Sequence, residues 1–335
     1  MTLVHDVLAA YDIGRITDCR LHMRHISDTY FVRTRASQHD GHATGRAGRY
    51  VLRVYRAGWR SDAEIRYELD ALTHVAARLP GTGVSVSTPV IPRDGDPLRA
   101  LHAPEGRRQA ALFTFARGDE RASETVARAR LYGRAAAEIH NATEDFASPH
   151  APARRPIDLD ELLERPLRDA RPLLREHPAM RRRALRLAER LRAHAAALPL
   201  SRLEYGFCYG DFHGGNACVD PRAGNTITFF DFDLCGPGWR AYDLAVFRWG
   251  HTGGWLKAAE AERRWDAFRE GYAERRTLGD LEWAAIPFFI LVRQFWFMGL
   301  WGANGRDWGY RWPTGPHFLK MARQVFDEWE PKLPN

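Results

Sequence analysis

Four polar side chains within the stretch 209–244 constrain this chain more than any other feature of its sequence. They are Asp211, Asn216, Asp231 and Asp233. The first two are spaced to fit a single loop, and the last two directly follow a short apolar run at 227–230 that predicts a buried strand. A side chain at a strand end can leave the core and meet a ligand. We therefore expect all four groups to lie at one site.

The residue types suggest the chemistry of that site. A carboxylate can orient and deprotonate a hydroxyl group, and an amide with a second carboxylate can hold Mg²⁺ against nucleotide phosphates. Asp211 is the predicted catalytic residue, acting mainly by orientation because a carboxylate of ordinary pKa is a weak base. Asn216 and Asp231 are the predicted metal ligands. Asp233 either reaches a second ion or caps the turn, and His213 either contacts the substrate or Asp211 or supports the loop.

The same stretch resembles the H-G-D-x-x-x-x-N … I-D-x … D-L-A pattern of the aminoglycoside phosphotransferase and choline kinase superfamily. Within it, the stretch looks similar to type II homoserine kinase and the bacterial stress-response kinase. The resemblance implies ATP and Mg²⁺ as cofactors and a small-molecule hydroxyl group as acceptor. Tyr209 replaces the usual His of the pattern, and it retains a ring and one hydrogen-bonding atom for the loop. Asp243 resembles the buried Asp that braces the catalytic loop.

The family resemblance implies an α+β chain with a bilobal, protein-kinase-like fold. The N-lobe, residues 1–115, would hold a small antiparallel β-sheet and a helix that cover the nucleotide. The C-lobe, residues 116–335, would be mainly α-helical and would carry the catalytic and metal loops and the acceptor-binding region. A length of 335 residues and a hydrophobic content of 45% are compatible with two lobes around a substantial core.

Two N-lobe residues are expected to bind the nucleotide. Arg53, on a predicted strand at 49–55, stands where the kinase pattern has Lys, and no lysine precedes Lys257. Arginine stays charged and binds phosphate bidentately, although an edge-strand Arg in solvent would also explain it. Helix 61–77 opens with a capping box, and Glu68 on that helix is expected to pair with Arg53. Glu64 is the alternative partner.

The segment 109–115 is a predicted strand that ends at the interlobe hinge of the family. The adenine is expected near Phe113 and Phe115, where backbone groups would bind its edge. His140 ends a predicted helix at 124–141, where a cationic His would suit the helix dipole.

The C-terminal part of the chain is aromatic and has few acidic residues. Arg293 and Trp296 are candidate substrate residues, and an aromatic box there could bind a quaternary ammonium group. Helical spacing of the aromatic residues favours ordinary core packing instead. Between 287 and 320 the acidic residue is Asp307, which argues against a polycationic aminoglycoside. Arg293 and Arg306 favour an acceptor that carries a carboxylate or a phosphate.

The charge and hydropathy of the chain limit the classes of partner that we expect. The net charge is +7, but the arginines are scattered among acids without a nucleic-acid recognition motif, so nucleic acid is not an expected partner. A run of about 18 apolar residues is lacking, so we expect no membrane span. The N-terminal segment has no basic stretch, which favours a cytoplasmic protein. The oligomeric state is not predicted.

The sequence therefore predicts an ATP- and Mg²⁺-dependent phosphotransferase acting on a hydroxyl of a small molecule, either amino-acid-like or an antibiotic or metabolite. A Ser/Thr protein kinase of the stress-response type is one alternative. The other is a nucleotide-binding regulator without transfer activity, which is suggested by the absence of both the strand Lys and the loop His.

Overall fold

The computed structural model of the chain describes residues 2–39, 42–44, 47–254, 256–305, 307–308 and 316–333. The helices are α1 Thr2–Leu8, α2 Asp62–Arg78, α3 Val126–Ala142, α4 Arg165–Asp169, α5 Arg171–Arg175, α6 Pro178–Ala197, α7 Arg240–Trp249, α8 Ala258–Ala273, α9 Asp280–Ala284, α10 Ile286–Asn304 and α11 Pro316–Trp329. The strands are β1 Arg15–Arg24, β2 Ser27–Arg35, β3 Ser37–His39, β4 His42–Thr44, β5 Gly48–Tyr55, β6 Val84–Val86, β7 Arg99–Ala103, β8 Gly106–Thr114, β9 Tyr205–Cys208, β10 Ala217–Asp220, β11 Thr226–Phe229 and β12 Gly236–Trp239. The predicted α+β class and kinase-like architecture are confirmed.

An antiparallel sheet with the strand order β1-β2-β5-β8-β7 forms the N-terminal part of the chain. The predicted strands at 29–34, 49–55 and 109–115 are β2, β5 and β8, and they lie side by side. Strand β1 was not predicted from the sequence. Most of its residues are exposed, so it lacks the alternation of apolar and polar residues that identifies a half-buried strand. The lobe boundary at residue 115 stays a prediction.

Helix α2 begins where the sequence places it, because its first turn satisfies its own backbone donors. The Ser61 side chain accepts from the Glu64 N–H, and the Glu64 carboxylate accepts from the Ser61 N–H at 2.9 Å. One face of the helix is buried and includes Ile65, Leu69 and Leu72. Glu68 lies on that same buried face, which directs a carboxylate under the sheet.

A second sheet joins the two halves of the molecule. Strand β11 pairs antiparallel with β10 and parallel with β6, which comes from the N-terminal half. The Ser87 N–H, just after β6, donates to the Phe229 carbonyl at 2.8 Å. This pairing holds the end of β11, and with it the loop that carries Asp231, against the N-terminal half.

The C-terminal half is built from helices that pack around α3, α7, α8 and α10. Helices α3 and α8 approach so closely that glycine is needed at the contact. A Cβ atom on Gly133 would lie 2.0 Å from the Phe268 carbonyl oxygen, and one on Gly271 would lie 1.9 Å from the Arg130 carbonyl oxygen. Neither glycine has a positive φ, so the close backbone packing is the reason for them.

This contact gives a stability prediction that opposes helix propensity. Gly133→Ala should favour an isolated helix by about 1 kcal/mol. We expect the protein to lose about 1–3 kcal/mol instead, because the added methyl group pushes α3 and α8 apart. Thermal denaturation measures the difference, with Arg134→Ala as the control, because the Arg134 side chain is partly exposed and lies next to Gly133 on α3. A higher melting temperature for Gly133→Ala would contradict the close packing.

Helix α10 passes the length and composition test for a membrane span, alone among the described residues. An 18-residue window of it has a mean hydropathy of 1.3, and 72% of that window is buried inside the protein. Burial of this extent is also typical of a core helix, which is apolar on all sides. The helix packs on α7 and α4, and Gly299 approaches the backbone of Pro166.

Candidate active site

The loop that carries Asp211 is fixed by two backbone hydrogen bonds to one buried carboxylate. The N–H groups of Tyr209 and Gly210 donate to the two oxygens of Asp243, each at 2.6 Å. Asp243 lies in the first turn of α7 and is completely buried. Burial raises the pKa of Asp243 to about 7, although the two N–H donors favour its charged form. Asp243 thus has the bracing position that the sequence suggests.

Gly210 and Tyr209 allow the Asp211 loop to pack closely against the segment 230–234. Gly210 has φ 82°, and a Cβ atom there would lie 2.3 Å from the Leu234 carbonyl oxygen. The Tyr209 hydroxyl donates to the Phe230 carbonyl, and its ring packs against Phe212 and Phe232. Tyr209 therefore ties the Asp211 loop to the residue just before Asp231, which is a scaffold role.

The brace can be tested with Asp243→Asn. The amide retains one oxygen, so one of the two loop N–H groups would face an NH₂ group and lose its acceptor. We expect a loss of about 1–3 kcal/mol, the usual cost of a buried unsatisfied donor. Thermal denaturation should show a lower melting temperature for Asp243→Asn than for Asp266→Asn, an exposed control on α8. Equal melting temperatures would show that Asp243 does not brace the loop.

The helix-dipole interpretation of His140 is wrong. The ring lies in the last turn of α3, but it is fully buried between the Tyr272 hydroxyl at 2.8 Å and Asp243 Oδ2 at 3.1 Å. Burial and the nearby Arg240 keep the pKa of His140 well below its usual value, so it is neutral. A neutral imidazole gains little from the dipole, and the ring instead supports the buried carboxylate.

Asp211 is held by three side chains. Asn216 Nδ2 donates to Oδ2 at 2.7 Å, His213 Nε2 lies 3.3 Å from the same oxygen, and Arg293 Nη2 donates to Oδ1. Burial alone would raise the pKa of Asp211, but His213, Arg293 and the hydrogen bonds outweigh it and hold the pKa well below its ordinary value. An ionised carboxylate of such low basicity orients a hydroxyl group better than it removes a proton.

The predicted metal ligands lie close to Asp211 and suit Mg²⁺. Asn216 uses its amide nitrogen on Asp211, which leaves the amide oxygen for a cation. Asp231 follows β11, and its side chain is half exposed. Among the described residues no group of three or more His, Cys, Asp and Glu side chains is arranged to hold a metal by itself. Such a donor set fits Mg²⁺, which shares one or two protein oxygens with nucleotide phosphates.

Asp233 has a role that the sequence does not reveal. Its Oδ2 accepts from Trp59 Nε1 at 2.9 Å, and its carbonyl accepts from Arg60 at 3.0 Å and from Arg154. Trp59 and Arg60 belong to the loop between β5 and α2, so Asp233 joins this loop to the C-terminal half. Asp233 Oδ1 is buried and accepts no hydrogen bond among the described residues, but Arg60 Nε lies 3.7 Å and Arg53 Nη2 4.0 Å from it. Metal binding by Asp233 stays a prediction.

Arg53 lies between Glu68 and Asp231. Its Nη1 donates to Glu68 Oε1 at 2.7 Å, and its Nη2 is 3.2 Å from Asp231 Oδ1. The Tyr55 hydroxyl donates to the other Glu68 oxygen at 3.1 Å. The structure thus contains the predicted Arg53–Glu68 pair, and the alternative partner Glu64 is used by Ser61 and Arg60. An edge-strand Arg in solvent is excluded, because the Arg53 side chain is 10% exposed.

A cavity of about 220 Å³ lies between the main sheet and the second sheet. Its lining includes Arg53, Glu68, Phe113, Phe115, Asn216 and Asp231. Phe115 is covered by the guanidinium group of Arg49, 3.7 Å from its ring centre, and meets Phe31 edge to face. All the predicted nucleotide-binding residues therefore surround one cavity. Ser87 and Cys218 also line it, and neither gives a signal in the sequence.

A larger cavity of about 720 Å³ adjoins the first one. The predicted substrate and catalytic residues that line it are Asp211, His213, Arg293 and Trp296. Asn216 and Asp231 line both cavities, so the two cavities meet at the predicted metal ligands. The aromatic residues Trp249, Trp296, Phe297 and Trp301 form part of its wall. Arg306 lies outside the described residues.

The chain is similar in sequence to known proteins. A sequence model described as "phosphotransferase enzyme family" matches residues 19–278. An uncharacterised protein of Deinococcus radiodurans is 43% identical over 84% of this chain and 79% of its own length. Amicoumacin kinase of Bacillus subtilis is 27% identical over 75% of this chain and 73% of its length. A homoserine kinase of Caulobacter is 29% identical over 73% of this chain and 71% of its length.

Solved structures show the same fold. A microcompartment-associated aminopropanol kinase has a TM-score of 0.74 and 24% identity, and the match covers 99% of both chains. An amicoumacin kinase in complex with AMP-PNP, Ca²⁺ and Ami also has a TM-score of 0.74, with 20% identity over 99% of this chain and 94% of that chain. At these identities the likeness concerns the fold alone.

Proposed function

The chain belongs to the phosphotransferase enzyme family, and from that premise we propose that it transfers the γ-phosphoryl group of ATP to a hydroxyl group of a small molecule. The observation that carries the proposal is the meeting of two cavities at Asn216 and Asp231. A phosphate group held there would lie between a nucleotide in the smaller cavity and an acceptor in the larger one. We place this activity in the cytoplasm, without nucleic acid or membrane as partner.

Each residue of the candidate site has a proposed role that follows from its position in the two cavities. Asp211 faces the larger cavity and orients the acceptor hydroxyl. It accepts the hydroxyl proton as the acceptor oxygen bonds to the γ-phosphorus and the bond from that phosphorus to ADP breaks. Arg53 lies beside Asp231 in the smaller cavity, where its fixed positive charge favours phosphate. Asn216 and Asp231, with Asp233 behind them, would hold Mg²⁺. The ion, when bound, supplies charge neutralisation on the transferring phosphoryl group.

The larger cavity suggests an acceptor with an apolar body. Its volume falls in the range of drug-sized ligand sites, and its wall is rich in tryptophan. The arginines that line it already have acidic partners: Arg293 pairs with Asp211, Arg264 with Glu260 and Arg121 with Asp119. Binding of an acceptor carboxylate or phosphate by these arginines would therefore compete with their acidic partners in the protein. Amicoumacin, aminopropanol and homoserine, the acceptors named for its relatives, are the first compounds to test.

The test is transfer from labelled ATP with Mg²⁺ to a panel of 1-amino-2-propanol, homoserine, ethanolamine, amicoumacin and a fractionated bacterial extract. We expect label in a small-molecule fraction with the native protein and none with Asp211→Asn. Transfer from labelled GTP in the same assay would show whether GTP is also a donor. Label in protein would indicate a protein kinase. Tight ATP binding without transfer to any fraction would indicate a regulator, and either result would overturn the proposal.

A further inference from the structure

We propose that Arg293 is a positioning residue that holds the carboxylate of Asp211 from the side of helix α10, and that it does not bind the acceptor. The proposal deepens the proposed function, because it concerns how the candidate catalytic carboxylate is held during transfer. It replaces the interpretation of Arg293 as a ligand for an acidic group of the acceptor.

The edges of the Arg293 guanidinium group are directed at the Asp211 loop and its support. Nη2 donates to Asp211 Oδ1, and Nη1 lies 3.3 Å from the Gly210 carbonyl oxygen and 3.1 Å from the Tyr242 hydroxyl. Nε is buried and has no hydrogen-bond partner among the described residues. With a side chain only 3% exposed, Arg293 offers an incoming acceptor little to bind.

The guanidinium group of Arg293 also lies against two tryptophan rings. The guanidinium carbon is 4.1 Å from the ring centre of Trp296 and 5.0 Å from that of Trp249. Trp249 is itself fixed, because its Nε1 donates to Gln294 Oε1 at 2.9 Å. Stacking on aromatic rings keeps a planar cation in one orientation and favours Arg over Lys at such a position.

The contacts of Asp211 show why a group outside its loop is needed. Asn216 and His213, both from the same loop, contact Oδ2 and leave Oδ1 to Arg293. Contacts to one oxygen alone allow the carboxylate to rotate about its own axis. Arg293 fixes the second oxygen, so the plane of the carboxylate is set by two elements that are far apart in the sequence. Displacements of about 1 Å at such a group can cost roughly 100-fold in rate.

The kinetic test compares Arg293→Met and Arg293→Lys with Arg248→Met. Arg248 is a matched control: it is also buried, stacks on Trp329 and pairs with Glu262 and Glu328, outside the two cavities. The acceptor is the panel compound with the highest turnover. We expect Arg293→Met to lower kcat by roughly 100-fold and Arg293→Lys by roughly 10-fold. In both variants the KM for ATP and the KM for the acceptor should stay unchanged within about 2-fold.

Two kinetic outcomes would overturn the proposal. If Arg293→Met raises the KM for the acceptor at least about 10-fold with kcat unchanged, Arg293 binds the acceptor. If its effect on kcat matches that of Arg248→Met, Arg293 serves stability alone.

A second measurement does not depend on activity. Arg293→Met leaves a buried carboxylate without its cation, so adding Asp211→Asn should raise the melting temperature above that of Arg293→Met alone. Strictly additive losses in melting temperature would overturn the pairing. A native protein that transfers phosphate to nothing would refute the proposed function, whereas this melting test would still decide whether Arg293 and Asp211 form an energetic pair.

Discussion

Asp211→Asn should lower turnover by roughly 1,000-fold, within the usual range for loss of a positioned acid–base group. The change is nearly isosteric, so the loop keeps its backbone path. The new amide can still accept from Arg293 through its oxygen, but its NH₂ group then faces Asn216 Nδ2 and His213 Nε2, which are donors to the native carboxylate. The variant therefore loses both the charge and the hydrogen bonds that orient the acceptor hydroxyl.

Nucleotide binding should survive the same change. Asp211 lines the larger cavity, whereas the smaller cavity is lined by Arg53, Phe113 and other residues. Titration calorimetry with a non-hydrolysable ATP analogue should give a dissociation constant close to that of the native protein. Asp266→Asn, on the exposed face of α8, serves as the control for expression and assay. Turnover equal to that of the native protein would remove Asp211 from the mechanism.

Arg53→Met should have the second largest effect, on stability as well as on activity. Glu68 is completely buried, and Arg53 is its ion-pair partner at 2.7 Å. Removing one member of a buried pair leaves an uncompensated charge and typically costs about 3–5 kcal/mol. Chemical denaturation measures this loss. Turnover should fall as well, because the positive charge beside Asp231 disappears from the nucleotide cavity.

Two further variants separate the effect of Arg53 on stability from its effect on activity. The double variant Arg53→Met/Glu68→Gln should recover much of the stability, because Glu68 no longer carries an unpaired buried charge, but it should recover no activity. Arg53→Lys should keep most of the stability and lose activity, since Arg53 contacts Glu68 and Asp231 through two different nitrogens and Lys has one. A double variant as unstable as Arg53→Met would show that the Arg53–Glu68 pair is not the source of the loss.

Local patterns in the sequence were sufficient to predict the catalytic loop, the strand before Asp231 and the start of α2. Each depends on residues that lie within a few positions of one another, such as the capping box of Ser61 and Glu64. The Arg53–Glu68 pair also followed from strand and helix periodicity together with the family pattern. These features have strong local signals because the local backbone structure, such as a helix start or a buried strand, favours particular residue types at particular positions.

The rest of the site depends on contacts between distant residues. Trp59 and Asp233 are 174 residues apart in the sequence, and Arg293 and Asp211 are 82 residues apart. The chain has 49 basic residues, and most are arginines in similar local sequence surroundings. Composition therefore does not show which arginine pairs with a given carboxylate. The sequence analysis assigned Arg293 to the acceptor for this reason, because local patterns do not show that Arg293 pairs with Asp211.

The parallel pairing of β6 with β11 has a consequence for how the protein is made. The hydroxyl groups of Ser85 and Thr228 lie 2.7 Å apart although 143 residues separate them in the chain. At a synthesis rate of roughly 5–20 residues per second, β6 leaves the ribosome on the order of ten seconds before its partner strand exists. The N-terminal half must therefore wait with an unpaired strand edge until β11 emerges. If the gene were split near residue 115, the first fragment alone would keep the edge of β6 unpaired.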